Sequence, residues 1–168
     1  PLLISSLFFS YLYYTTGRNV KTGASVVFAE ISSMPGTITR LVLPDQSVVW
    51  LNAGSRLVYP SVFDEKERKV QLFGEGYFEV EADPEHPFSV STSEGLRVIA
   101  YGTKFNVNAY DDEPFIEAVL EKGKIDVIRN DERIRLEPNK QVVLNKESGV
   151  FRVSAVNLDE KMDWRKGR

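Results

Sequence analysis

The chain reads as an all-β protein, about a dozen short strands laid out as a β-helix-like stack or a sandwich, preceded by a short hydrophobic N-terminal segment. Three observations predict this. Apolar and polar residues alternate in short runs. Between Ile38 and Val156 turn residues interrupt these runs about every 8 to 12 positions. No window in that interval keeps a helical period of 3.6 over three turns. The spacing is too tight for helical crossovers between parallel strands.

The elements follow in order. Residues 1–15 hold an apolar run, Pro1 to Tyr14, with no charge before Arg18. Three readings compete: the end of a transmembrane helix, a signal-peptide core, or a buried strand or helix. The run is shorter than the roughly 20 residues of a full span. No basic segment precedes it and no small-residue cleavage site follows. Tyr11, Tyr13 and Tyr14 resemble an interfacial aromatic belt, which favours the membrane helix. Residues 16–37 are polar, with only Ser25 to Phe28 strand-like, and read as a juxtamembrane linker and edge strand.

Residues 38–156 form the β domain. In Tyr77 to Val80 the alternation places Phe78 and Val80 on one face and Tyr77 and Glu79 on the other. Leu96 and Val98 share a face. In the next run Phe105, Val107 and Ala109 point inward while Asn106, Asn108 and Tyr110 point outward. Lys124 to Ile128 and Arg133 to Leu136 repeat the scheme. Residues 157–168 are charged and helix-compatible, with Asn157 or Asp159 as N-cap, and read as a connector to a further domain.

Composition bounds the function. A chain of 168 residues carries one sizeable core. Its 21 basic and 24 acidic residues are interspersed, net −3, without a basic cluster to follow a phosphate backbone, so nucleic acid is an unsuitable partner. Cysteine is absent, which removes disulfides, thiolate metal sites and cysteine nucleophiles while leaving the compartment open.

Candidate chemistry is sparse. Asp45, Glu75, Glu79, Asp111 and Asp112 sit near loops or strand ends, and a hydrolase built on Glu75 or Glu79 would need two carboxylates facing each other. His86 is the single histidine and lies in a polar turn, which suits neither a multi-histidine metal site nor a serine–histidine relay. No phosphate-cradling loop or nucleophile elbow occurs. Neither cofactor, metal nor catalytic residue is expected. The aromatics Trp50, Tyr59, Phe73, Tyr77, Tyr101 and Tyr110 cannot all occupy one inner face, so some could form a stacking platform or a protein anchor.

Three blocks carry a further signal: Leu43-Pro-Asp-Gln-Ser-Val-Val-Trp-Leu-Asn-Ala-Gly-Ser-Arg-Leu-Val-Tyr-Pro60, Gly74-Glu-Gly-Tyr-Phe-Glu-Val80 and Gly102-Thr-Lys-Phe-Asn-Val-Asn-Ala-Tyr110. Together they resemble the extracytoplasmic domain of the FecR family of transmembrane sigma regulators. Ala82 to Val90, Glu121 to Val127 and Leu136 to Gln141 are similar to further landmarks of that family, in the expected order. Two turns depart from the pattern: Asp45-Gln46 stands for the usual Asp-Gly, and Pro138-Asn139 for Pro-Gly.

The resemblance implies a single-pass inner-membrane anti-sigma factor with this domain in the periplasm. Such a domain would receive a signal from the signalling domain of a TonB-dependent outer-membrane transporter. It would relay that signal to an extracytoplasmic-function sigma factor, held by a cytoplasmic segment absent from this chain. It also favours the stack over the sandwich and needs no catalytic centre. Trp50, Tyr77, Asn106, Asn108 and Tyr110 are the candidate partner-binding residues. A carbohydrate-binding β module is the alternative.

Overall fold

The computed structural model describes residues 26–166. The N-terminal apolar run, and with it the membrane-helix expectation for residues 1–15, lies outside the described residues. Among those described, no helix is long and apolar enough to cross a membrane.

Thirteen strands make one curled sheet: β1 (Phe28–Ser32), β2 (Thr39–Val42), β3 (Val48–Leu51), β4 (Arg56–Pro60), β5 (Arg68–Glu79), β6 (Phe88–Ser91), β7 (Arg97–Ala100), β8 (Lys104–Ala109), β9 (Phe115–Lys122), β10 (Ile125–Arg129), β11 (Glu132–Leu136), β12 (Lys140–Asn145) and β13 (Phe151–Ala155). A short helix α1 (Leu158–Met162) and a 3₁₀ turn (Asp163–Lys166) follow. The strand-like run expected at Ser25 to Phe28 falls later in the chain: β1 begins at Phe28, ends at Ser32 and pairs with β4.

The strand order reconciles the two architectures that the sequence allows. One layer runs β1-β4-β5-β6-β7-β10-β11, the other β2-β3-β5-β8-β9-β12-β13. In each layer the lateral order follows chain order, so the chain shuttles between layers while advancing in one direction, as in a stack. Every ladder is antiparallel except β5–β6, and both layers contribute to one apolar core, as in a sandwich. Phe78 stacks on Phe105 at 5.1 Å between ring centres, and Phe88 of the other layer lies 6.1 Å from Phe78.

β5 joins the layers. Its first half pairs with β4 and β6, its second with β3 and β8. Gly74 sits at the hand-over with φ +86°, where a Cβ would come within 2.6 Å of Ser55 Oγ and 2.9 Å of the Tyr110 ring. Only glycine fits both the backbone and the space. The first half of β5 alternates between buried and exposed, whereas the second is buried on both faces. Something therefore covers the outside of the second layer.

Both turns that depart from the family pattern keep the left-handed conformation, with φ 70° at Gln46 and 62° at Asn139. Asn tolerates that region by bonding its own backbone; Gln does so less readily. The neighbouring Asp45 carboxylate accepts from Ser47 N at 3.1 Å and Ser47 Oγ at 2.7 Å, which holds the Gln46 turn closed.

Candidate functional site

Residues facing each other across antiparallel ladders share a face of the sheet. On the outer face of the second layer this produces one lateral row. Arg40 lies opposite Trp50, Trp50 opposite Tyr77, Tyr77 opposite Asn106, Asn106 opposite Val119 and Val119 opposite Gln141. Trp50 meets Tyr77 edge-on at 5.6 Å, and the Arg40 guanidinium lies 5.4 Å from the Trp50 ring.

The C-terminal segment covers this row. Asn157 caps α1 by accepting from Asp159 N, as its sequence position predicts. Met162 is buried against Tyr77 and Val119, with Trp50, Val156, Leu158 and Trp164 packed around them. Lys161 Nζ pairs with Glu117 at 2.8 Å. The Arg165 guanidinium lies 3.5 Å from the centre of the Tyr77 ring and 3.7 Å from Glu121. Tyr77 donates its hydroxyl to Glu121 at 2.6 Å. Burial, and then that bond to a carboxylate, push the Tyr77 phenol well above its ordinary range, so it stays neutral.

Beside the row lies a buried carboxylate. Glu75 accepts from Asn52 Nδ2 at 2.7 Å and Asn106 Nδ2 at 2.8 Å. Burial raises its pKa, and the two amide donors oppose that rise. Glu75 N donates to Ser55 Oγ at 2.8 Å, and Tyr110 donates its hydroxyl to Ala53 O at 2.8 Å. Burial raises the Tyr110 pKa as well.

The structure thus brings Trp50, Tyr77 and Asn106 into one row. Asn108 lies one row over, opposite Glu75 and Glu117, and Tyr110 pins the β3–β4 turn. Asn106 points outward, as the alternation predicts. It is nevertheless only 2% exposed, and its amide serves Glu75. Tyr77, fully buried beneath Met162 and Arg165, offers no open stacking platform. Glu117, Glu121, Val119, Met162 and Arg165 were missed by the sequence reading. The spacing Leu158, Met162, Arg165 within a charged stretch is the amphipathic signal that could have found the cover.

The remaining candidates stand apart. Glu75 and Glu79 share a face of β5 four residues apart, about 13 Å along the strand, too far for a hydrolytic pair. Glu79 pairs with Lys104, Asp45 with Arg68, and Ser93 donates to Asp111. His86 meets Asp83 at 2.8 Å in the loop after β5. Among the described residues no cluster of three or more metal-ligating side chains occurs. What the row offers chemically is an aromatic strip bordered by carboxylates, suited to binding a cationic and apolar segment.

The pattern of the FecR protein family matches residues 29–126, more than half of the chain. The chain belongs to the FecR family. Its fold is similar to that of a proposed anti-sigma factor from Parabacteroides distasonis, seen in two crystal structures. The first gives a TM-score of 0.81 at 33% identity over 84% of this chain and 66% of the other. The second gives 0.80 at 33% identity over 83% and 65%. The chain thus spans just under two thirds of the length of the protein it matches. Among proteins of curated function none matches.

Proposed function

We propose that this domain is the periplasmic sensing and relay module of an anti-sigma regulator anchored in the inner membrane by a single helix. It takes a signal from the signalling domain of a TonB-dependent outer-membrane transporter and passes it to an extracytoplasmic-function sigma factor. The sigma factor is bound by a cytoplasmic segment outside this chain, and residues 157–168 lead toward a further domain. Family membership over residues 29–126 carries this reading, supported by the likeness to a proposed anti-sigma factor. The site suits it: an aromatic and carboxylate face already engaged with a peptide segment works by changing a protein contact.

The test is calorimetric titration of the chain, and of a form extended past Arg168, against the signalling domain of the neighbouring transporter. Heat from both places recognition on the β domain. Heat from the longer form alone makes this domain a relay between membrane and receptor. No heat from either sinks the reading.

A further inference from the structure

We propose that the outer face of the second layer is a receptor for an amphipathic helix that presents a lysine and an arginine beside apolar and aromatic side chains, which the chain's own Leu158–Lys166 stretch fills as a displaceable latch. The proposal goes beyond the relay reading and does not depend on it.

The face is complete without its cover. Tyr77 bonds Glu121, Asn52 and Asn106 both bond Glu75, and Trp50 rests between Arg40 and Tyr77. All these partners belong to the strands or to the β3–β4 turn, so these bonds do not depend on the segment. The surface it would open has a definite chemistry: two aromatic rings and Val119 flanked by the carboxylates of Glu117 and Glu121.

The cover, by contrast, is a short segment. α1 is a single turn extended by a 3₁₀ turn, far too short to be stable by itself. It is fastened by the buried Met162 with Leu158 and Trp164 packed beside it, by the Lys161 and Arg165 ion pairs, and by Arg165 on the Tyr77 ring. Two buried donors on the segment, Trp164 Nε1 and Arg165 Nε, lack a partner among the described residues. A segment seated with two idle donors describes a fit that another helix could improve. The occupant must supply what the segment supplies: cations for Glu117 and Glu121, and an apolar side chain between them.

A fluorescent peptide with the sequence of residues 157–166 tests this by anisotropy against the full chain, the Arg165→Ala chain, and that chain with Glu117→Gln and Glu121→Gln added. Loosening the latch should tighten peptide binding about tenfold or more, and removing the carboxylates should reverse the gain. Equal binding to the unaltered and Arg165→Ala chains, or binding indifferent to the two carboxylates, would overturn the proposal. Hydrogen exchange of the unaltered chain gives a reading that needs no variant. Saturating peptide should speed exchange at residues 158–166 while leaving β8 and β9 protected; unchanged exchange there means a fixed wall rather than a latch.

Discussion

The Arg68 guanidinium meets the Asp45 carboxylate at 2.6 Å, both side chains nearly sealed from solvent at 5% and 13% exposure. The same arginine donates Nε to His86 O at 2.8 Å and Nη1 to Glu81 O at 3.2 Å, so one planar group ties the β2–β3 turn to the loop after β5. A lysine keeps the charge but cannot reproduce the fork. Arg68→Lys should cost about 2 kcal/mol and Arg68→Ala about 3–5 kcal/mol in urea unfolding. An unchanged midpoint for Arg68→Lys would show that charge alone suffices.

The exposed Gln46 holds φ at 70° where glycine would be unstrained. Gln46→Gly should therefore stabilise the domain by about 1 kcal/mol, despite the added freedom of the unfolded chain. For a chain of this size that is a rise of about 2–4 °C in Tm. A fall in Tm would mean that the Asp45–Ser47 bonds already remove the strain.

Gly74 marks the opposite case. Gly74→Ala meets both an unfavourable φ and a Ser55 Oγ only 2.6 Å away. A loss of about 3 kcal/mol is expected in denaturant unfolding. The cost should extend to both layers at once, because β5 serves both.

Asp126 supplies a pH signature. Hydrogen bonds from Arg135, then Arg133, hold its carboxyl down at about 2 against burial. A depressed folded pKa contributes stability that is fully present above the unfolded value near 4 and is lost as pH falls toward 2. The contribution at neutral pH is about 2 kcal/mol. Asp126→Asn should lower stability at pH 7 and flatten its fall between about pH 4 and 2. Identical pH profiles for the two proteins would refute the assignment. Glu75, whose folded pKa is raised, acts in the opposite sense: its contribution is present at low pH and fades as pH rises through the folded value.

Alternation made the inner face legible. Phe78, Val80, Leu96, Val98, Phe105, Val107 and Ala109 all lie in the core, as their period predicts. The same rule places Tyr77 and Asn106 on the opposite face, and they are there. It could not show that this face is closed, because its cover comes from Met162 and Arg165, more than fifty residues farther along the chain. A local period reports which side a residue takes, not what another stretch of chain lays on that side. Asp126 was hidden for a related reason: it sits opposite Arg135, and its two arginines come from the neighbouring strand β11. The layered order of strands rests on tertiary pairing that no single run encodes.

That order has a mechanical consequence. With strands added one after another in each layer, the domain's length is a matter of counting: seven strands at about 4.8 Å apart set the first and last roughly 29 Å from each other. The stack of strands is a ruler whose length follows from its strand count, and Leu158–Lys166 doubles back from its far end toward the middle. A pull that reaches the last strand would bear first on that returning arm, where a few ångströms of travel suffice to lift Arg165 from Tyr77.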